Sequence, residues 1–159
     1  MTSEAKPAPS TSVWRWLGVA YMLVLGALVF LPFGGAMDLG DRLNLQPFAT
    51  IDRALELGPR SVSFRLLIGN IAAFVPFGIL LPLVLPLVVR TRWSAALVLI
   101  GALWLSAAIE LGQLAISYWI GAAYRSTDID DVILNVLGAG VGYIVFVFAR
   151  LLSAGEPSR

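Results

Sequence analysis

Arg125-Ser126-Thr127-Asp128-Ile129-Asp130-Asp131-Val132-Ile133-Leu134-Asn135-Val136-Leu137-Gly138-Ala139-Gly140-Val141-Gly142-Tyr143 opens with an arginine and three aspartates, then turns almost wholly apolar. Thr127 is a suitable helix N-cap, and Asp130 three residues later completes a Thr-x-x-Asp capping pattern. The apolar part, continued to about Leu152, is long enough to span a bilayer as a helix, which takes roughly 20 residues. At about 3.6 residues per turn, Asp128, Asp131, Asn135, Gly138 and Gly142 fall on one stripe of that helix. The aspartates could simply answer the positive end of the helix dipole. That account needs only one or two acids, and it leaves Asn135 unexplained. Gly138-x-x-x-Gly142 reads as a packing face for a neighbouring helix, within the chain or in a second copy.

Working outward, the rest of the chain has the same character. Of its 159 residues, 58% are hydrophobic and only 13% charged, which makes a soluble globular domain a poor fit. Net charge is +1, so nothing suggests a nucleic-acid partner. There is no cysteine and no histidine, which excludes disulfides, thiol nucleophiles, imidazole acid–base chemistry and the usual zinc sites. No cofactor or resident metal is expected. Whatever chemistry occurs must use carboxylates, amides, hydroxyls, arginine or the backbone.

Residues 1–12 read as a disordered tail rich in Ser, Thr, Pro and Ala, and residues 153–159 as a second tail. Between them, residues 13–152 form one transmembrane domain. The first span runs from Val13 to about Leu31, an uncleaved helix with Trp14 and Trp16 at interface level. Pro32-Phe33-Gly34-Gly35 ends it. In the loop from Asp38 to Arg60, Thr50 is placed to cap a short interfacial helix in which Ile51, Ala54 and Leu55 share a face. Gly58-Pro59 stops that helix. An ordinary connecting loop is the alternative.

Ser61 to Val89 is the second span, with Asn70 a turn or two inside it. Pro76, Pro82 and Pro86 predict a bent or broken helix. Arg90-Thr91-Arg92 is a tight turn, and Ser94 to about Ile120 is the third span. That span carries a polar stripe of Ser106, Glu110, Gln113 and Ser117. A carboxyl at the depth of Glu110 must be protonated or paired, and such a group marks function by default. A structural hydrogen bond to a neighbouring helix is the plainer account. Arg125, Asn70 or Asn135 is the expected partner. The fold class is therefore all-α, a bundle of four transmembrane helices with a short interfacial helix in the first loop.

Basic residues are nearly balanced between the two sides, and the Arg90–Arg92 turn tips the orientation towards cytoplasmic termini. The first loop, Asn70, Glu110 and the aspartates then gather in the outer half of the membrane.

Four ordered motifs carry a family resemblance: Asn44-Leu-Gln-Pro-Phe-Ala-Thr-Ile51, Asn70-Ile-Ala-Ala-Phe-Val-Pro-Phe-Gly78, Ser106-x-x-x-Glu110-x-x-Gln113, and Arg125-Ser-x-Asp128-Ile-Asp130-Asp131-x-Ile-x-Asn135-x-x-Gly138. Together they resemble the VanZ-like family of bacterial membrane proteins over about Leu43 to Tyr143, with Gln46 and Ala49 as departures. The resemblance implies a multipass protein of the bacterial cytoplasmic membrane. At family level it also implies a link to resistance against the glycopeptide teicoplanin. It supplies no reaction.

The leading expectation is an outward-facing polar pocket lined by Asn70, Glu110, Gln113, Arg125, Asp128, Asp130, Asp131 and Asn135. It would bind an envelope lipid, a lipid-linked precursor or a lipid-tailed glycopeptide, with Arg125 on a phosphate or carboxylate. The alternative is a divalent-metal-dependent membrane enzyme acting on a lipid phosphate. A purely structural subunit, held through Gly138 and Gly142, is a third reading.

Overall fold

The computed structural model describes residues 11–31, 43–85, 91–121 and 126–154. Arg125, Pro86, Arg90 and the Pro32–Gly35 stop all lie outside those residues, as do most of both tails. Five helices and one short parallel strand pair make up the described chain: α1 (Thr11–Phe30), β1 (Leu43–Asn44), α2 (Ala49–Leu57), α3 (Val62–Val84), α4 (Ser94–Ile120), β2 (Thr127–Asp128) and α5 (Ile129–Ala154). Of these, α1, α3, α4 and α5 are long and apolar enough to cross a membrane. The fold is an all-α bundle of four such helices. Its α1 begins two residues before the expected Val13, inside the stretch assigned to the tail.

The packing is that of a membrane protein turned to lipid. Trp16 is 73% exposed, Leu23 70% and Trp104 72%, whereas Ser106, Glu110, Gln113 and Asn135 are buried. Water would penalise that arrangement, because large contiguous apolar surface is rare on soluble proteins. A bilayer reverses the preference, since lipid tails are as apolar as leucine and internal polar groups bind helices together. A modest apolar core of Leu25, Phe74, Val98, Ala102, Ile109 and Ala139 fills the centre.

The tightest contact is between α3 and α5, and its cause is glycine. A Cβ at Gly138 would stand 2.1 Å from the Ile71 carbonyl oxygen, one at Gly142 2.0 Å from that of Val75, and one at Gly78 2.0 Å from that of Ala139. No side chain fits there, so the backbones meet directly. The close approach that Gly138 and Gly142 allow is taken by α3 of the same chain. Pro76 and Pro82 lie inside α3, which runs unbroken over 23 residues, so the expected break is absent through Val84. Near Pro76, Tyr21 Oη on α1 donates to the Ala73 carbonyl of α3, 3.0 Å away, and ties the two helices together.

One end of the bundle is closed by α2. Ala54 is fully buried against Leu67 and Leu134, with Ile51 and Ile71 beside them. Leu55, expected on the same face, is 57% exposed and turns outward. Gly58, at φ 75°, ends α2, and Ser61 Oγ then accepts the Phe64 amide to start α3. At the same end, Leu43 pairs with Thr127 and Asn44 with Asp128, so the chain entering α2 runs beside the chain entering α5.

Candidate functional site: a buried polar cavity beneath an acid-bound loop

The three aspartates do three different jobs. Asp130 is fully buried, and its carboxylate leaves its own helix to accept the backbone amides of Phe48 (2.6 Å), Thr50 (2.8 Å) and Ile51 (3.1 Å). It thereby caps α2 from a distance, where a serine or aspartate within the loop would ordinarily serve. Thr50, expected as that cap, is used otherwise: its Oγ1 donates to Asp128 Oδ2 at 2.5 Å and accepts from Asn44 Nδ2 at 3.1 Å. Phe48 sits just before α2 at φ 69°, a strained setting for a side chain this large, and the Asp130 bond to its amide holds it there.

Asp128 is the hinge between loop and bundle. Its Oδ2 also accepts from Asn44 Nδ2 (3.2 Å), and its Oδ1 accepts the Asp130 amide (2.9 Å). Asp128 is therefore the residue that caps α5, which corrects the expected Thr127–Asp130 capping box. Thr127 Oγ1 instead points back to the Glu110 carbonyl at 3.3 Å. The Asp128 amide donates to Glu110 Oε2 at 3.0 Å. So the buried carboxylate meets a backbone N–H, while Arg125, the first of its expected partners, lies outside the described residues.

Below this layer lies a polar cavity of about 50 Å³ where α1, α3, α4 and α5 converge. Asn70, Glu110, Gln113, Ser126, Asp131 and Asn135 line it, with Leu25, Val29 and Phe74 as the apolar wall. Asn70 Nδ2 donates to Asp131 Oδ1, tying α3 to α5. Gln113 Nε2 donates to the Val29 carbonyl at 2.8 Å, tying α4 to α1. Asn135 Nδ2 donates to Ser106 Oγ at 2.8 Å, tying α5 to α4. Asn135 Oδ1 is buried with no hydrogen-bond partner.

Of the eight residues expected to line one pocket, the structure gathers Asn70, Glu110, Gln113, Asp131 and Asn135 round the cavity. Asp128 and Asp130 face the loop above it. Arg125 falls outside the described residues. Sequence reasoning left Asn44, Thr50, Ser106 and Ser126 off the site. The signal for three of them was present, since Asn44 and Thr50 flank the loop motif and Ser106 lies on the α4 polar stripe.

A second space adjoins the first along the α1–α3 seam. It is an apolar groove of about 580 Å³, walled by Gly18, Met22, Phe77, Leu81 and Val84 among others, with Arg15 at its far end. The Tyr21–Ala73 hydrogen bond marks where groove gives way to cavity.

Compared with known proteins, the profile of the VanZ/LLP1 family matches residues 18–150. The chain belongs to the VanZ/LLP1 family. The matched residues span every element described above except the first turns of α1 and the last turn of α5, so the acid-bound loop, the cavity and all of the groove except Arg15 lie within the VanZ/LLP1 region. Neither the curated proteins nor the solved structures contain a match to the chain.

Proposed function

We propose that this VanZ/LLP1 protein binds a lipid-linked molecule of the bacterial cell envelope along the α1–α3 seam, tail in the groove and head towards the polar cavity. The observation that carries this is the adjacency of the two spaces. Binding sites for small molecules usually measure about 300–1,000 Å³. The groove, near 580 Å³, is in that range, whereas the cavity near 50 Å³ is an order of magnitude too small for a lipid headgroup alone. A ligand that used only the polar residues would not fit. One that lays a hydrocarbon tail against Phe77, Leu81 and Val84 needs to place only its polar end beside Asn70 and Asp131.

The protein then sits in the cytoplasmic membrane with its termini inside and the cavity in the outer half. Family membership extends the candidates to lipid-tailed glycopeptides, whose tail would take the same groove. A second reading, a divalent-metal-dependent enzyme acting on a lipid phosphate, draws on one observation. Glu110 and Asp131, from different helices, line the same cavity.

Lipid retention tests the first reading. Protein purified in mild detergent is expected to carry an envelope lipid detectable by native mass spectrometry. Met22→Trp, which fills the groove from its lipid-facing wall, should reduce that retention at least fivefold. Retention unchanged by Met22→Trp would place the lipid elsewhere.

A further inference from the structure

We infer that the polar end of the lipid that enters the cavity is a hydroxyl, an uncharged hydrogen-bond donor read by the amide oxygen of Asn135. This deepens the lipid-binding reading, on which it rests, by naming the chemistry of the head.

Asn135 is 6% exposed, its Nδ2 is committed to Ser106 Oγ, and its Oδ1 has no partner. A buried acceptor left unmet is costly, so such atoms are rare unless something unseen meets them. With Nδ2 held, Oδ1 is the atom that Asn135 offers to an occupant of the cavity it lines. An amide oxygen can only accept, so the occupant must donate.

The surrounding groups are committed in the same sense. Asn70 Nδ2 donates to Asp131 Oδ1, and Gln113 Nε2 donates to the Val29 carbonyl. In all three cavity amides the nitrogen is held by the protein, and among the described residues no hydrogen bond reaches the oxygen. Where the groove meets the cavity, Tyr21 Oη has given its one proton to the Ala73 carbonyl and can only accept from a ligand. A fully ionised phosphate, which brings acceptors alone, finds no match in these atoms.

Between a hydroxyl and a cation, the hydroxyl fits. Glu110 and Asp131 are both engaged already, so the cavity makes no demand for a positive charge. A hydroxyl satisfies one orphaned oxygen without carrying charge into the membrane interior. Size agrees with this choice. A water needs about 10–15 Å³ of such space. The cavity, at about 50 Å³, takes a hydroxymethyl group and little more. The tail then leaves along the groove past Phe77 and Leu81. A lipid alcohol such as a diacylglycerol carries that group, and so does the sugar of a glycosylated lipid.

The probes are dioleoylglycerol and its methyl ether, which keeps the oxygen and loses the donor. Each is titrated against the purified full-length protein in mild detergent, and bound lipid is counted by native mass spectrometry. Dioleoylglycerol should bind at least tenfold more tightly than the ether. In Asn135→Leu, of similar shape, its affinity should fall to that of the ether, with the ether unchanged. A purely structural Asn135 would move both lipids together. Ser106→Ala, which removes the other partner of Asn135, should keep the preference. Circular dichroism checks that each variant folds, and the wild-type comparison decides alone if Asn135→Leu does not. Glucosyl dioleoylglycerol identifies the source: tighter binding than dioleoylglycerol assigns the hydroxyl to a sugar, weaker binding to the glycerol. Equal affinity for dioleoylglycerol and its ether in the wild type would mean that only water fills the cavity, and overturns the inference. So does a preference that survives in folded Asn135→Leu. Both lipids bound equally but lost in Met22→Trp would leave the lipid reading standing without the hydroxyl. Binding of none of these lipids defeats both.

Discussion

Asp130 shows how much one side chain decides here. It sits in the first turn of α5, where an acid is ordinarily read as answering its own helix dipole, yet it spends both oxygens on three amides at the start of α2. Hydrogen bonds to a charged acceptor contribute about 1.5–3 kcal/mol each, less where the site is partly wet. Asp130→Ala is therefore expected to destabilise the fold by about 3 kcal/mol, since three donors lose their acceptor together. Asp130→Asn, which keeps one acceptor oxygen, should lose roughly half of that. Thermal unfolding in detergent measures the total. Limited proteolysis between Leu45 and Arg60 tells whether α2 has lifted away. Equal stability of wild type and Asp130→Ala would show that the α2 cap contributes nothing.

At the scale of elements, the α3–α5 contact is set by backbone approaching backbone. Gly138→Ala would put a methyl 2.1 Å from the Ile71 carbonyl oxygen, and that atom cannot swing aside as a side-chain tip would. The helices must separate, with an expected loss of about 2 kcal/mol or more. Gly140→Ala is the internal control. Its added Cβ would meet only Leu99 Cδ2, at an ordinary 3.5 Å, and alanine favours a helix over glycine by up to about 1 kcal/mol. Melting temperatures should therefore move in opposite directions for two alanines introduced two residues apart. A fall of similar size in both would mean that helix propensity and space are not what separates them. The opposed outcomes would also show that this glycine face serves the chain's own fold.

For the whole molecule, four spans return the chain to the side on which it began. The paired β1 and β2 place the approach to α2 and the approach to α5 at the same end of the bundle, which agrees with that path. In sequence, Arg90 and Arg92 fall within the short connection between α3 and α4. Positive charge in short loops is retained in the cytoplasm. Reporter fusions after Pro9 and after Glu156 should both show cytoplasmic activity, and a fusion inside the Asp38–Arg60 loop should not. Opposite signals from the two termini would contradict four spans. External signals from both would invert the protein and move the cavity to the inner half of the membrane.

The sequence by itself determined the class of molecule. Apolar runs of bilayer length, the absence of cysteine and histidine, and a polar stripe on one span were enough for a four-span bundle with a carboxylate buried inside it. Those are one-dimensional signals: length, composition and a period of 3.6 residues survive without knowledge of neighbours. The family, too, was legible from four ordered motifs. The tertiary structure alone decided how the acids are shared out. Asp128, Asp130 and Asp131 are near neighbours in sequence and look interchangeable there. One turns to Asn44 and Thr50, one to the amides of α2, and one to Asn70, because three different segments pack against the start of α5. The α5 cap moved from Thr127 to Asp128 for the same reason: the Glu110 carbonyl took the threonine hydroxyl. Pairings between residues about 20 to 85 positions apart depend on which helices touch, and no local pattern encodes that.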